Sequence, residues 1–224
     1  MEAAVLSHHH YDHGGGLRHF FELNSRAKVF LGPAPEGECV SRRAFGRTRP
    51  IGLDPDLLRD HAARFVTVRE PVEILPGVHL LPRITGDHPR PAGNKRLPLR
   101  KDGAFRPDDF AHEILMVIRE GGGLVVFTGC SHSGVLNMVE TAAAAFEGVP
   151  VKAVVGGFHL FAAGPFRRVA GGRRAAEAIG EALLRQPVER AYTCHCTGDA
   201  AFQALKAVMG ERLYDLRTGS RVQL

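Results

Sequence analysis

Four times along this chain an apolar, β-prone run ends, a short histidine-bearing loop follows, and a helix-like stretch begins. The runs are "EAAVLS", "GLVVFTG", "VKAVVGG" and "ERAYT", and the loops after them are "HHHYDHGGG", "CSHSG", "FHLFAAGPF" and "CHCTG". The helix-like stretches are "LRHFFELN", "VLNMVETAAAAFEG", "RRAAEAIGEALLRQ" and "DAAFQALKAVMG", and "RLYDLRTGSRVQL" reads as a terminal strand or hairpin. Runs such as "LVVF" are apolar at successive positions, which suits strands covered on both faces. Alternation of strand and helix implies α/β layering, where ligands gather at the carboxyl ends of the strands. One cluster at that edge is expected to contain His8, His10, Asp12, His13, Cys130, His132, His159 and His195.

Between the first and second units the pattern is less regular. Residues 39–64 are rich in Arg, Pro and Asp and read as a loop plus a short helix, and "RFVTVREPVEILPGVHLLPRI" reads as strands with turns. Residues 85–111 are polar, charged and interrupted by prolines, so a lid, a binding loop or a disordered stretch is expected there. No convincing linker divides the chain, and 1–224 is read as a single domain.

With 44% hydrophobic and 24% charged residues the composition is that of a globular protein. No apolar run is long enough for a membrane span, and the first residues lack a signal-peptide layout, so a cytoplasmic protein with no membrane partner is expected. The net charge of +5 comes largely from Arg42, Arg43, Arg47 and Arg49 and from the stretch Arg83 to Arg106. It suits a small anionic substrate, and no basic-aromatic signature points to nucleic acid. Cys39, Cys130, Cys194 and Cys196 form neither a disulfide framework nor a CxxC zinc pattern.

In an extended segment His8 and His10 point to the same side and can grip one cation together, while Asp12 and His13 follow where the chain turns and can face a second. Imidazole and carboxylate ligands suit zinc, with iron or manganese as alternatives. The bland readings of "HHHYDH" are a tag remnant or a solvated polar turn; an apolar strand before it and three glycines after it count against a tag. His19, His61, His79 and His112 have no such setting and read as surface or satisfied core histidines, and His88 is intermediate. Cys130 is a candidate thiolate ligand, whereas Cys194 and Cys196 read as small buried residues.

"HHHYDH" fits His-x-His-x-Asp-His, and with "TGCSHSGVLN", "GGFHL" and "HCTG" in this order the chain resembles the metallo-β-lactamase superfamily. Within it, the sequence is similar to the branch of dihydropterin-linked ribofuranosylaminobenzene 5'-phosphate synthases. The resemblance implies an αββα sandwich, with the sheet's first strands expected to be missing because the motif begins at His8. It also implies His8 and His10 on a first metal, Asp12 and His13 on a second, and His195 completing the second. Either Cys130 or His132 would complete or bridge the site, and His159 would stand at the rim as substrate binder or proton donor. The histidine that the superfamily carries between the first and second units has only His88 as a candidate here.

The implied activity is a hydrolase with two divalent ions, acting through a metal-bound hydroxide on an anionic ester, lactone or phosphoester. Asp12 and His159 are its catalytic candidates, and Arg83, Arg90 and Lys95 its candidates for holding a phosphorylated substrate. The alternatives are a synthase-type transferase, an iron-using oxidoreductase, or a non-catalytic metal- or ligand-binding paralogue. An incomplete sheet would leave an open edge at which a second copy is expected to pair.

Overall fold

The computed structural model describes residues 1–162 and 168–223, so the later part of the third histidine loop lies outside the described residues. In chain order, β1 (Ala3–Leu6) leads through α1 (Tyr11–Gly14) and α2 (Leu17–Leu23) to β2 (Lys28–Leu31). Next come β3 (Glu38–Arg42), β4 (Thr48–Pro50), α3 (Pro55–Asp60) and β5 (Phe65–Thr67). Two hairpins follow, β6 (Val72–Leu75) with β7 (Val78–Leu81) and β8 (Leu99–Lys101) with β9 (Ala104–Arg106). The rest runs β10 (Leu115–Glu120), β11 (Gly123–Gly129), α4 (Val135–Ala145), β12 (Val151–Gly156), and a small ribbon of β13 (Phe161–Ala162) and β14 (Arg168–Val169). It ends with α5 (Arg173–Arg185), β15 (Val188–Thr193), α6 (Asp199–Met209) and β16 (Leu213–Asp215).

Two sheets lie face to face. The smaller is parallel, in the order β1-β2-β5, and the larger runs β16-β15-β12-β11-β10-β7-β6. Alternation along the strands supplies both sides of the smaller sheet. Leu6, Val29 and Leu31 pack outward against Phe21 of α2 and Leu57 of α3, while Val5 and Phe30 pack inward against Leu80 and Met116 of the larger sheet and Ile114 just before β10. The far face of the larger sheet carries the main core, where Leu124, Val126 and Val154 meet Met138 and Val139 of α4, Leu183 of α5 and Leu205 of α6. The layers are therefore helix, sheet, sheet, helix.

Local chemistry accounts for the elements. The unbroken run Leu124–Phe127 sits between β10 and β12 with neighbours on both sides, as a doubly covered strand requires. Asp54 caps α3 by accepting from the Asp56 N–H, and Pro55 occupies the first turn, where a missing donor does no harm.

Residues 85–111 are more ordered than their sequence suggests. They hold a 3₁₀ helix at Ala92–Arg96 and the β8–β9 hairpin, which joins β3 and β4 in a four-stranded sheet in the order β4-β3-β8-β9. Strands of three residues are too short to establish a period, which is why the sequence reads as loop.

Candidate metal centre

All four histidine-bearing loops leave the carboxyl ends of strands: Ser7–His13 follows β1, Cys130–Ser133 follows β11, Gly157–His159 follows β12 and Cys194–Thr197 follows β15. A close approach makes their convergence possible. Gly129 has φ 71°, and a Cβ there would stand 2.3 Å from Ser7 Oγ, so only glycine lets the loop after β11 meet the loop after β1. The Ile114 N–H donates to the Ser7 carbonyl at 2.8 Å and ties the two sheets together just above.

The innermost group is His8, His10 and His132, with ring centroids 4.6–4.9 Å apart. They are 0%, 5% and 1% exposed, and the Nε2 atom of each is buried without a hydrogen-bond partner. Burial is the largest cause holding all three imidazoles below their ordinary pKa, His10 down to about 3, with neighbouring histidines adding to it. Three neutral nitrogens left unpaired inside a fold are costly unless something binds them. A divalent cation fits that donor set.

Supports around the rings set their orientation. Asn94 Oδ1 accepts from His132 Nδ1 at 3.1 Å while Asn94 Nδ2 donates to the His132 carbonyl, leaving the lone pair of His132 on Nε2. The Phe110 ring lies flat on His132 at 4.5 Å, and Ser7 Oγ lies 2.9 Å from His8 Nδ1. Beneath the loop, the fully buried Glu113 accepts from the N–H groups of His132 and Ser133, and burial raises its pKa. His112 accepts from the His9 N–H on Nδ1 and donates to the buried Asp108 through Nε2, which satisfies it as a core residue.

A second group lies outward. Asp12 Oδ2 is 3.1 Å from His195 Nε2 and 3.7 Å from His13 Nε2, with the Asp12 and His195 side chains 37% and 47% exposed. The hydrogen bond to His195 is the main cause holding Asp12 down at about 2, and the same contact raises His195. Cys130 Sγ stands between the groups, 3.1 Å from His13 Nε2, and forms a third set of candidate ligands with His159 and Cys196. His159 packs on His132 at 4.2 Å, with its Nδ1 buried and unpartnered. Phe110, Ser131, His159 and His195 all adopt positive φ, so non-glycine residues in left-handed backbone crowd this one site.

The remaining sequence candidates are not among the grouped ligands. His88 bonds Glu140 Oε1 at 2.6 Å and Asn137, against α4, and it is His132 that supplies the third imidazole beside His8 and His10. Arg83 pairs with Glu70, Arg90 donates to the Asp109 carbonyl, and Lys95 is exposed. Asn94, Glu113 and Cys196 carry roles the sequence reading missed. Glu113 had a signal, a lone carboxylate just before a buried apolar strand; Asn94 had none, because its partner lies 38 residues away.

No protein-family model matches the chain. It is 30% identical over 209 residues to the 7,8-dihydropterin-6-methyl-4-(β-D-ribofuranosyl)-aminobenzene-5'-phosphate synthase of Methanocaldococcus jannaschii, covering 88% of this chain and 67% of that one. An uncharacterized protein of the same organism is 29% identical over 161 residues, 70% of this chain and 57% of its own length, so the chain spans little more than half of that relative. The crystal structure of a metal-dependent hydrolase of the β-lactamase superfamily superposes with a TM-score of 0.73 at 28% identity, over 98% of this chain and 78% of that one. Layering, loop placement and sequence agree: the chain belongs to the family of the dihydropterin-ribofuranosylaminobenzene phosphate synthase, within the metallo-β-lactamase superfamily.

Proposed function

We propose that this protein is a metal-dependent hydrolase with a binuclear centre, acting on a small anionic ester, lactone or phosphoester. The observation that carries this reading is the set of three buried, unpartnered Nε2 atoms on His8, His10 and His132, beside an outward Asp12–His13–His195 group. His8, His10 and His132 would hold one cation, and Asp12, His13 and His195 the other, with Cys130 within reach of both. Zinc suits these donors, and iron or manganese would be accepted by the same set. When bound, such a pair acidifies water and withdraws electrons from a phosphoryl or carbonyl oxygen.

The chain's own groups do the rest. Asp12 stays ionised and keeps a carboxylate oxygen at the outward group. His159, at the edge of the histidine cluster, passes a proton to the departing oxygen of the substrate. Its left-handed backbone, φ 48°, holds the ring there.

A second reading is favoured by the 30% identity to a synthase over 88% of this chain: transfer between a dihydropterin and a ribofuranosylaminobenzene phosphate at the same centre. No helix among the described residues is long and apolar enough to cross a membrane, in keeping with a small-molecule enzyme of the cytoplasm. Elemental analysis of the purified protein tests the centre, and a panel of esters, lactones, phosphoesters and the dihydropterin pair tests the reaction. About two metal ions per chain and metal-dependent turnover, lost in Asp12→Ala, are expected. No metal even after reconstitution would overturn the enzyme reading.

A further inference from the structure

The donor groups at this centre differ in softness. His8, His10 and His132 offer imidazole nitrogens, and Asp12, His13 and His195 add a carboxylate oxygen, donors of borderline to hard character. Among the described residues one further set carries two sulfurs: Cys130 Sγ, Cys196 Sγ and a ring nitrogen of His159 lie within 4.8 Å of one another. The loops after β11, β12 and β15, three neighbouring parallel strands, each supply one of them. A tetrahedral cation bonded at about 2.3 Å to sulfur and about 2.0 Å to nitrogen spaces its ligand atoms by about 3.5–3.8 Å. The set is therefore close to binding geometry.

The surroundings favour ligation over a plain core role. A Cβ on Gly157 would stand 2.5 Å from Cys196 Sγ, so the loop after β12 admits this sulfur only because it carries glycine there. The His159 backbone N–H donates to Cys196 Sγ at 3.3 Å, a bond that strengthens when the sulfur is a thiolate. His159 Nδ1 is buried with no partner, while Cys196 and His159 as a whole are only half-buried. His159 also lines a cavity of about 720 Å³ whose wall carries Arg42, Arg43 and Arg47, so water can complete the coordination sphere. The set of His10, Cys39 and His112 lacks this freedom, because the His9 N–H and Asp108 engage both ring nitrogens of His112.

We propose that Cys130, His159 and Cys196 form a separate site for a soft, thiophilic cation, such as cadmium or zinc present in excess, and that its occupation shuts the centre down. Each thiol gives its proton to water as its sulfur bonds the cation, and no oxidant or reductant is consumed. A cation held there takes the His159 ring away from proton transfer. It also takes the Cys130 sulfur, 3.1 Å from His13 Nε2, away from the binuclear centre. The inhibition rests on the enzyme reading above; the binding does not.

Titration of the manganese-loaded full chain with cadmium, kept reduced by a phosphine and followed by the ultraviolet thiolate-to-cadmium charge-transfer band, tests it. The band should saturate in wild type, fall to half or less in Cys196→Ser, and stay unaltered in Cys194→Ser. Cadmium affinity in Cys196→Ser should drop about 10–100-fold or more, since even groups that merely support ligands cost that much. A full band in Cys196→Ser, with its circular dichroism intact, places cadmium on Cys130 at the binuclear centre and overturns the proposal. So does the absence of a band in wild type, or its loss in Cys194→Ser. Should Cys196→Ser not fold, His159→Gln carries the same reading: weakened cadmium binding supports the site, and unchanged binding overturns it. Activity separates this site from the enzyme reading. Turnover suppressed by cadmium in wild type and spared in Cys196→Ser supports the inhibition, and turnover untouched at band saturation overturns it. A Cys196-dependent band in a protein without metal-dependent turnover supports the site and removes the enzyme. Metal-dependent turnover with no band removes the site alone.

Discussion

The inner and outer halves of the candidate centre use the same residue types in opposite environments. His8, His10 and His132 are almost wholly buried, and their facing nitrogens have no partner inside the protein. Asp12 and His195 are more than one-third exposed and satisfy each other at 3.1 Å. Burial makes the inner trio a poor proton acceptor, and its support by Asn94, Phe110 and Glu113 is correspondingly extensive. The outer group can relax by pairing internally and by contacting water. An inner cluster of this kind carries donor atoms that the protein itself does not satisfy, whereas the outer cluster satisfies part of its own polar groups.

The strongest way to break this contrast is His132→Ala. Removing one of three facing nitrogens should abolish the inner metal and cut metal-dependent turnover by more than about 100-fold, read by elemental analysis and kinetics. Asp12→Ala comes next: stoichiometry should fall by about one ion per chain while the inner ion stays, and loss of both would make the two halves a single unit. Asn94→Ala leaves every ligand in place but frees the His132 ring. Metal affinity should drop about 10–100-fold in a competition titration against a chelator, with little change in thermal stability.

The smallest expected effect lies outside the centre, where an exposed contact should matter little. Asp54 caps α3 and pairs with Arg18, and that pairing, the main cause, lowers its pKa. Asp54→Ala should reduce the melting temperature slightly at neutral pH. A lowered folded-state pKa contributes stability above the ordinary carboxylate value and loses it as pH falls through the folded value. The difference between wild type and variant should therefore vanish in acid, and a gap that persists there would contradict the assignment.

Much of the fold was readable from the residues. The runs "GLVVFTG" and "VKAVVGG" are the parallel neighbours β11 and β12, and the helix-like stretches after the loops are α2, α4, α5 and α6. The rings of His8 and His10 do stand 4.6 Å apart, but in a bend after β1 rather than by alternation within a strand. The middle of the chain was harder, since the three-residue strands β4, β8 and β9 are held by their partners rather than by a pattern of their own. The arginines at Arg42, Arg43 and Arg47 were visible as charge but not as a cavity wall, because the 3₁₀ helix that faces them lies some fifty positions further along.

The sequence by itself determined which chemistry was available: imidazoles, a carboxylate and thiols, each following a strand that had to be covered on both faces. That much follows from local periodicity and from the strand-loop-helix order. Only the tertiary structure decided which groups meet. His132 joins His8 and His10 and His88 does not, because the loop after β11 is brought across the sheet interface at Gly129. Arg43 and Arg47 stand near His159 while Arg83 is occupied by Glu70, because the hairpin's sheet folds back over the strand ends. A side chain's type is written locally, but its partners come from segments distant in sequence, and the packing of the two sheets sets which of those segments touch.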